Sequence, residues 1–156
     1  MFVYYNTIYL LPKLSLLCNY YVITFDKYIY LNHILLITNN FCKAIENKKY
    51  IHRVICTLNI YNIIAVVNVS NDAYEPITPY YLSHEIDDIP SEQLSHGYDK
   101  IYKFIDTHIT NGNSVLVHCH AGISRSVSYV MYYFMRKYLI NYGTIFDLIK
   151  ERRISI

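Results

Sequence analysis

Hydrophobic positions along the chain switch between two patterns. Ser114-Val115-Leu116-Val117 is a short apolar run of the kind found in buried strands, and Ile63 to Val69 is a second. Asp26 to Leu31 reads as a further strand, and Tyr80 to His84 as a short one. In Ser91 to Thr110 the period lengthens. Leu94, Tyr98, Ile101, Ile105 and Ile109 fall on one stripe, with Glu92, Asp99, Lys100, Lys103 and Asp106 off it, which predicts an amphipathic helix. Asn111-Gly112-Asn113 ends that helix as a turn. Ser126 to Leu139 is apolar nearly all round (Val127, Tyr129, Val130, Met131, Tyr133, Phe134), so it is the expected central buried helix. Thr38 to Lys48, capped by Asn39 or Asn40 and burying Phe41, Ala44 and Ile45, is another helix, followed by Tyr50 to Asn59. Asn71 to Pro79, with two prolines, is a loop; Asn141-Tyr142-Gly143 turns the chain into a last helix, Thr144 to Arg153. Strands alternating with helices predict an α/β fold. The 156 residues suit one domain, without internal repeat or low-complexity block.

Candidate chemistry concentrates where an expected strand meets the buried helix, in His118-Cys119-His120-Ala121-Gly122-Ile123-Ser124-Arg125-Ser126. A strand, a tight loop and a helix point a row of backbone N–H groups at one spot, and the helix N-terminus adds its positive end. Such a nest binds a tetrahedral dianion and favours a thiolate. Cys119 as thiolate is the candidate nucleophile. Arg125 offers a planar fork that grips two phosphate oxygens at once. Gly122 lets the backbone turn with positive φ and approach a ligand closely. The hydroxyls of Ser124 and Ser126 can donate to the thiolate or to the loop. These residue types describe phosphoryl transfer from a phosphoester to a cysteine.

The run HCHAGISRS resembles the signature His-Cys-x-x-Gly-x-Ser-Arg-Ser/Thr of cysteine-dependent phosphatases, and is most similar to that of the dual-specificity protein phosphatases. The resemblance implies a central mixed sheet flanked by helices and a two-step mechanism through a phosphocysteine, without metal or cofactor. Cys119 would attack phosphorus, and Arg125 with the loop His120, Ala121, Gly122, Ile123 and Ser124 would hold the phosphate. Ser126 would assist departure of the thiolate, and His118 would support the loop and tune the sulfur. The family also carries a general acid about 30 residues before the cysteine, which protonates the leaving oxygen and then activates water. Asp88 lies 31 positions before Cys119 and is the expected acid, with Asp87 as the alternative. For either aspartate the plain reading is a turn residue before a helix.

The similarity runs from about Asp26 to the C-terminus. Tyr28-Ile29-Tyr30-Leu31 resembles the family's first strand, and Ile64-Ala65-Val66-Val67-Asn68-Val69-Ser70 its strand ending in Asn-Val-Ser. Asn32 stands where the family usually has Gly, and members usually continue past the Arg152-Arg153 pair. The expected organisation is an apolar extension over 1–25 and a catalytic domain over 26–156, with the usual C-terminal segment missing. The resemblance implies a phosphorylated protein as substrate, at tyrosine and at serine or threonine, since short members of the superfamily lack the loops that deepen a tyrosine-specific pocket.

Composition narrows this little. A net charge of +2 and no Lys/Arg stripe give no reason to expect nucleic acid. Lys150, Arg152 and Arg153 read as a solvated face. The four cysteines show no paired spacing, and a thiolate nucleophile needs a reducing compartment, so cytoplasm and nucleus are expected. Cys18, Cys42 and Cys56 read as small buried hydrophobes. The 19 tyrosines rise together with Ile and Asn and read as compositional drift. His118 and His120 lack further ligands at metal-binding spacing, and His120 is expected at the floor or rim of the pocket with no chemical role.

Competing readings separate on the same residues. The neutral loop positions His120, Ala121 and Ile123 favour a protein phosphomonoester over an inositide or an RNA 5′-phosphate. A rhodanese-like sulfur transferase needs neither an acid loop nor the Gly-x-Ser-Arg-Ser run. A non-catalytic phospho-binder, or a truncated and decayed member, is the alternative from another class; retention of Cys119, Arg125 and Asp88 favours the enzyme. Met1 to Phe25 carries one charge, Lys13, and is interrupted by Asn6, Pro12 and Asn19, so it lacks an apolar run long enough to span a bilayer. It has no positive charge before an apolar stretch, as a signal peptide would. An added strand, helix or disordered extension is expected there, with membrane association as the alternative. The sequence sets no oligomeric state.

Overall fold

The computed structural model describes residues 20–23, 35–38, 45–46, 48–89 and 93–152. The strands are β1 (Tyr20–Ile23), β2 (Leu35–Thr38), β3 (Ile63–Asn68), β4 (Tyr80–Ser83) and β5 (Ser114–His118). The helices are α1 (Lys48–Ile60), α2 (Ser95–Thr110), α3 (Arg125–Tyr138) and α4 (Tyr142–Arg152). The strands form one sheet in the order β1-β2-β5-β3-β4.

β5 is the centre of this sheet, and every one of its residues is buried. That is why its sequence is a continuous apolar run rather than an alternation. Its side chains still divide by face. Val115 and Val117, with Ala65 and Val67 of the neighbouring strand and Val69 just after it, join a core shared with Ile101, Ile105 and Ile109 of α2, Val130 of α3 and Ile145 of α4. Leu116 and Val66 point the other way, onto Val54 and Leu58 of α1 and onto Ile45. Each buried Val, Leu or Ile side chain contributes about 1.5–3 kcal/mol on burial. A register shift between Ile63 and Ala65 breaks the alternation, and Ile63 joins the α1 cluster.

The ends of the strands are level where it matters. Thr38, Asn68 and His118 are in register across β2, β5 and β3, and Ser83 pairs with Asn68. The chain therefore leaves β3, β4 and β5 on one edge of the sheet. The carboxyl ends of parallel strands are where open α/β sheets place their sites.

Several expectations are corrected. The strands that carry the site are parallel, not mixed: β2, β5, β3 and β4 run the same way, and the antiparallel pairing in the five-stranded sheet is confined to β1 on β2 at its edge. Thr38 ends a strand rather than opening a helix, and residues 45–46 are helical. Tyr142 and Gly143 belong to α4 rather than to a turn. α3 ends at Tyr138 on Leu139, which takes the left-handed conformation, and Asn141 Oδ1 accepts the Thr144 N–H at 2.9 Å as a helix cap. Cys56 is exposed, not buried. Cys18 and Cys42, the strand expected over Asp26–Leu31, and the C-terminal residues 153–156 lie outside the described residues, as does most of 1–25. Among the described residues no helix is long and apolar enough to cross a membrane.

Candidate active site

Cys119 follows the last residue of β5 and is almost wholly buried, at 2% exposure. Gly122 has φ of 64°, a conformation open to glycine, and this turn aims its N–H at the sulfur, at 3.1 Å. The Ser126 hydroxyl reaches the same sulfur at 3.3 Å from the first turn of α3. The loop thus brings a backbone N–H, a hydroxyl and a helix N-terminus onto one sulfur. Ser124 precedes the helix and Ile123 is exposed at the loop's outer side.

Arg125 is buried and crosses to the loop after β4. Its Nη1 donates to the Ile86 carbonyl at 2.6 Å, and its Nη2 to Asp88 Oδ2 at 3.2 Å. Its Nε–H is buried and has no acceptor among the described residues. A buried donor left without a partner costs roughly 1–3 kcal/mol. Asp88 itself is largely exposed, with 61% of its side chain accessible. The two candidate acids have different partners: Asp87 accepts a hydrogen bond from Asn71 Nδ2, whereas Asp88 faces Arg125.

His118 is fully buried at the end of β5. Burial pushes its pKa down to about 3, against smaller opposing effects from a hydrogen bond to the Cys119 backbone and from the Asp72 charge. The ring is therefore neutral at pH 7. The Tyr74 hydroxyl lies 2.6 Å from its Nε2. His120 points away from this core, exposed, with Nδ1 2.9 Å from Asp72 Oδ2.

Sequence reasoning placed a loop over residues 71–79, between β3 and β4, but not the contacts of Asn71, Asp72 and Tyr74 with these groups. Asn68 and Ser70 at the loop's root are buried. The Asn68 side-chain oxygen accepts from the Ser70 backbone at 2.9 Å and its hydroxyl at 2.7 Å, while Nδ2 donates to the Asp72 carbonyl at 2.8 Å. The Asn-Val-Ser run noted as a family likeness thus builds the loop that delivers Asn71, Asp72 and Tyr74 to the site.

Over residues 45–156 the sequence matches the family described as dual specificity phosphatase, catalytic domain. The chain belongs to this family. Among curated relatives, Dual specificity protein phosphatase 1B of Arabidopsis thaliana is 39% identical over 69 residues, 44% of this chain and 41% of that protein. The Serine/threonine/tyrosine-interacting protein of Mus musculus is 40% identical over 76 residues, 49% of this chain and 34% of that protein. In both cases the match spans less than half of the relative's length. Among solved structures, the human tyrosine phosphatase-like serine/threonine/tyrosine-interacting protein superposes with a TM-score of 0.66 at 27% identity, covering 78% of this chain and 81% of that one.

Proposed function

We propose that this chain is a protein phosphatase that hydrolyses phosphotyrosine and phosphoserine or phosphothreonine through a phosphocysteine. The observation that carries the reading is the convergence on one loop of a buried sulfur, its N–H and hydroxyl donors, and a buried guanidinium with a free Nε–H. A tetrahedral phosphate in the loop supplies the acceptor which that N–H lacks.

In the proposed reaction the Cys119 thiolate attacks phosphorus and the bond to the leaving oxygen breaks. Arg125 and the N–H groups of His120 to Ser124 hold the phosphate oxygens, and Asp88 gives its proton to the leaving oxygen. Water then attacks the phosphocysteine. Asp88 takes a proton from that water, the S–P bond breaks, and Ser126 donates a hydrogen bond to the departing thiolate. Inorganic phosphate leaves, and no metal or cofactor takes part. The register of Asp88 on Arg125 supports it as the acid over Asp87, which is held by Asn71.

A protein substrate is supported by the surface beside the loop. A groove of about 450 Å³ borders Ile123 and Ser124 and is walled by Tyr98, Met131, Tyr142 and Phe146. Among the described residues no charged side chain lines it, which suits a polypeptide better than a polyanionic inositide or nucleotide.

Hydrolysis of an aryl phosphate by wild type and Cys119→Ser, with vanadate and with EDTA, tests the reading. Activity that vanadate blocks, EDTA spares and the variant lacks is expected. A second reading, a phospho-binder without turnover, draws on the likeness to a relative named for interaction. A folded wild type that binds phosphopeptide but hydrolyses nothing would establish it instead.

A further inference from the structure

The loop between β3 and β4 touches both halves of the site. Asp72 pairs with His120 of the catalytic loop, and Asn71 donates to Asp87 of the loop that carries Asp88. We infer that Asn71 is a positioning residue for proton transfer: by holding Asp87, it keeps the neighbouring Asp88 carboxylate over the catalytic loop while substrate is bound. This rests on the reading of Asp88 as the acid.

The argument comes from what holds residues 86–88. Among the described residues, two hydrogen bonds to this segment come from the Arg125 guanidinium, to the Ile86 carbonyl and to Asp88. A third comes from Asn71 to Asp87. A phosphate dianion in the catalytic loop competes for the guanidinium, because a planar fork binds phosphate oxygens in the same bidentate way as a carboxylate. The Arg125 links to Ile86 and Asp88 are then weakened, at the moment the acid must stay in place. The Asn71 link does not involve Arg125 and is left intact.

Asn71 is suited to this because its own backbone is anchored. Ser70, the residue before it, is buried and bonded twice to Asn68, and Asn68 donates to the carbonyl of Asp72, the residue after it. The backbone of β3 is in turn in register with β5, since Asn68 pairs with His118. The position of Asp87 is thereby referred to the same strand that carries the nucleophile. A neutral amide is also the right donor, because a cation here would compete with Arg125 for Asp88.

The test is kcat/KM for Asn71→Ala and Asp87→Ala on two substrates, 4-nitrophenyl phosphate and a phosphotyrosine peptide, each also in an Asp88→Asn background. The peptide's phenolate is the poorer leaving group and depends more on the acid. Both single variants are expected to lower kcat/KM on the peptide about 3- to 10-fold, with a smaller loss on the nitrophenyl ester. Neither should have a further effect once Asp88 is Asn, and the Asn71→Ala/Asp87→Ala double variant should lose no more than either alone. Equal losses on both substrates, or losses that persist in the Asp88→Asn background, would overturn the inference and leave Asn71 a general structural residue. If Asp88→Asn itself fails to distinguish the two substrates, the assignment of the acid fails instead. Asn71 and Asp87 are both exposed, so the variants are expected to fold, and thermal melts verify it.

Discussion

Asp88 Oδ2 lies 3.2 Å from Nη2 of Arg125, although 37 residues separate them. The pair joins an exposed loop to a buried guanidinium at the mouth of the catalytic loop. Replacing Asp88 by Asn keeps a hydrogen-bond acceptor there and removes the proton. The expected result is a fall of about 10²-fold or more in kcat on phosphoprotein, with KM within about twofold. Asp87→Asn is expected to cost less than about tenfold, because that carboxylate is engaged by Asn71. Steady-state kinetics of the two variants on one phosphoprotein decide between them. Equal effects would remove Asp88 from its role.

The strand-loop-helix turn over residues 114–138 was legible in the sequence because its logic is local. Cys119, Gly122, Arg125 and Ser126 lie within one strand-loop-helix turn, so residue type and spacing already specify what each can reach. The helix stripe of Ile101, Ile105 and Ile109 was legible for the same reason, and all three are buried. Asn71, Asp72 and Tyr74 were not, because their partners lie 16, 48 and 44 residues away and only the level strand ends bring them together. Gly143 misled by type: glycine suggests a turn, but the left-handed residue at the end of α3 is Leu139 and the cap is Asn141. Cys56 misled because thiols are usually buried, whereas this one lies on the exposed side of α1.

Burial of His118 makes stability depend on pH. Its pKa is about 3 when folded and near the ordinary histidine value of about 6.5 when unfolded. Between these values the unfolded chain binds a proton that the folded chain does not, so stability falls as pH falls through this window. Relative to His118→Gln, wild type is expected to lose up to about 1.4 kcal/mol per pH unit below pH ~6.5. Urea unfolding of both proteins at a series of pH values measures the difference. A difference that stays flat down to pH ~4 would mean the ring is not buried in neutral form.

Gly97 sits in α2 where a Cβ would come within 2.3 Å of His84 Nε2 and 2.7 Å of the Tyr129 hydroxyl. Tyr129 is buried and its hydroxyl donates to the Leu94 carbonyl at 2.9 Å, so it has nowhere to swing. Gly to Ala inside a helix ordinarily gains up to about 1 kcal/mol. Here Gly97→Ala is expected to lose about 1–3 kcal/mol by overpacking between α2 and α3. Chemical denaturation checks the sign, and a gain in stability would contradict the packing described.

The central claim is that phosphate passes through Cys119, and the Ser126 hydroxyl beside its sulfur gives the way to catch it. Without that hydroxyl the thiolate is a poorer leaving group, so Ser126→Ala should slow breakdown of the phosphocysteine more than its formation. The most direct measurement is the mass of the Cys119 peptide after acid quench of Ser126→Ala mixed with excess aryl phosphate. The expected result is one phosphoryl group on Cys119, accompanied by a burst of phenol and slowed turnover. An unmodified Cys119 peptide during continuing turnover, or a phosphoryl group on another residue, would contradict the account.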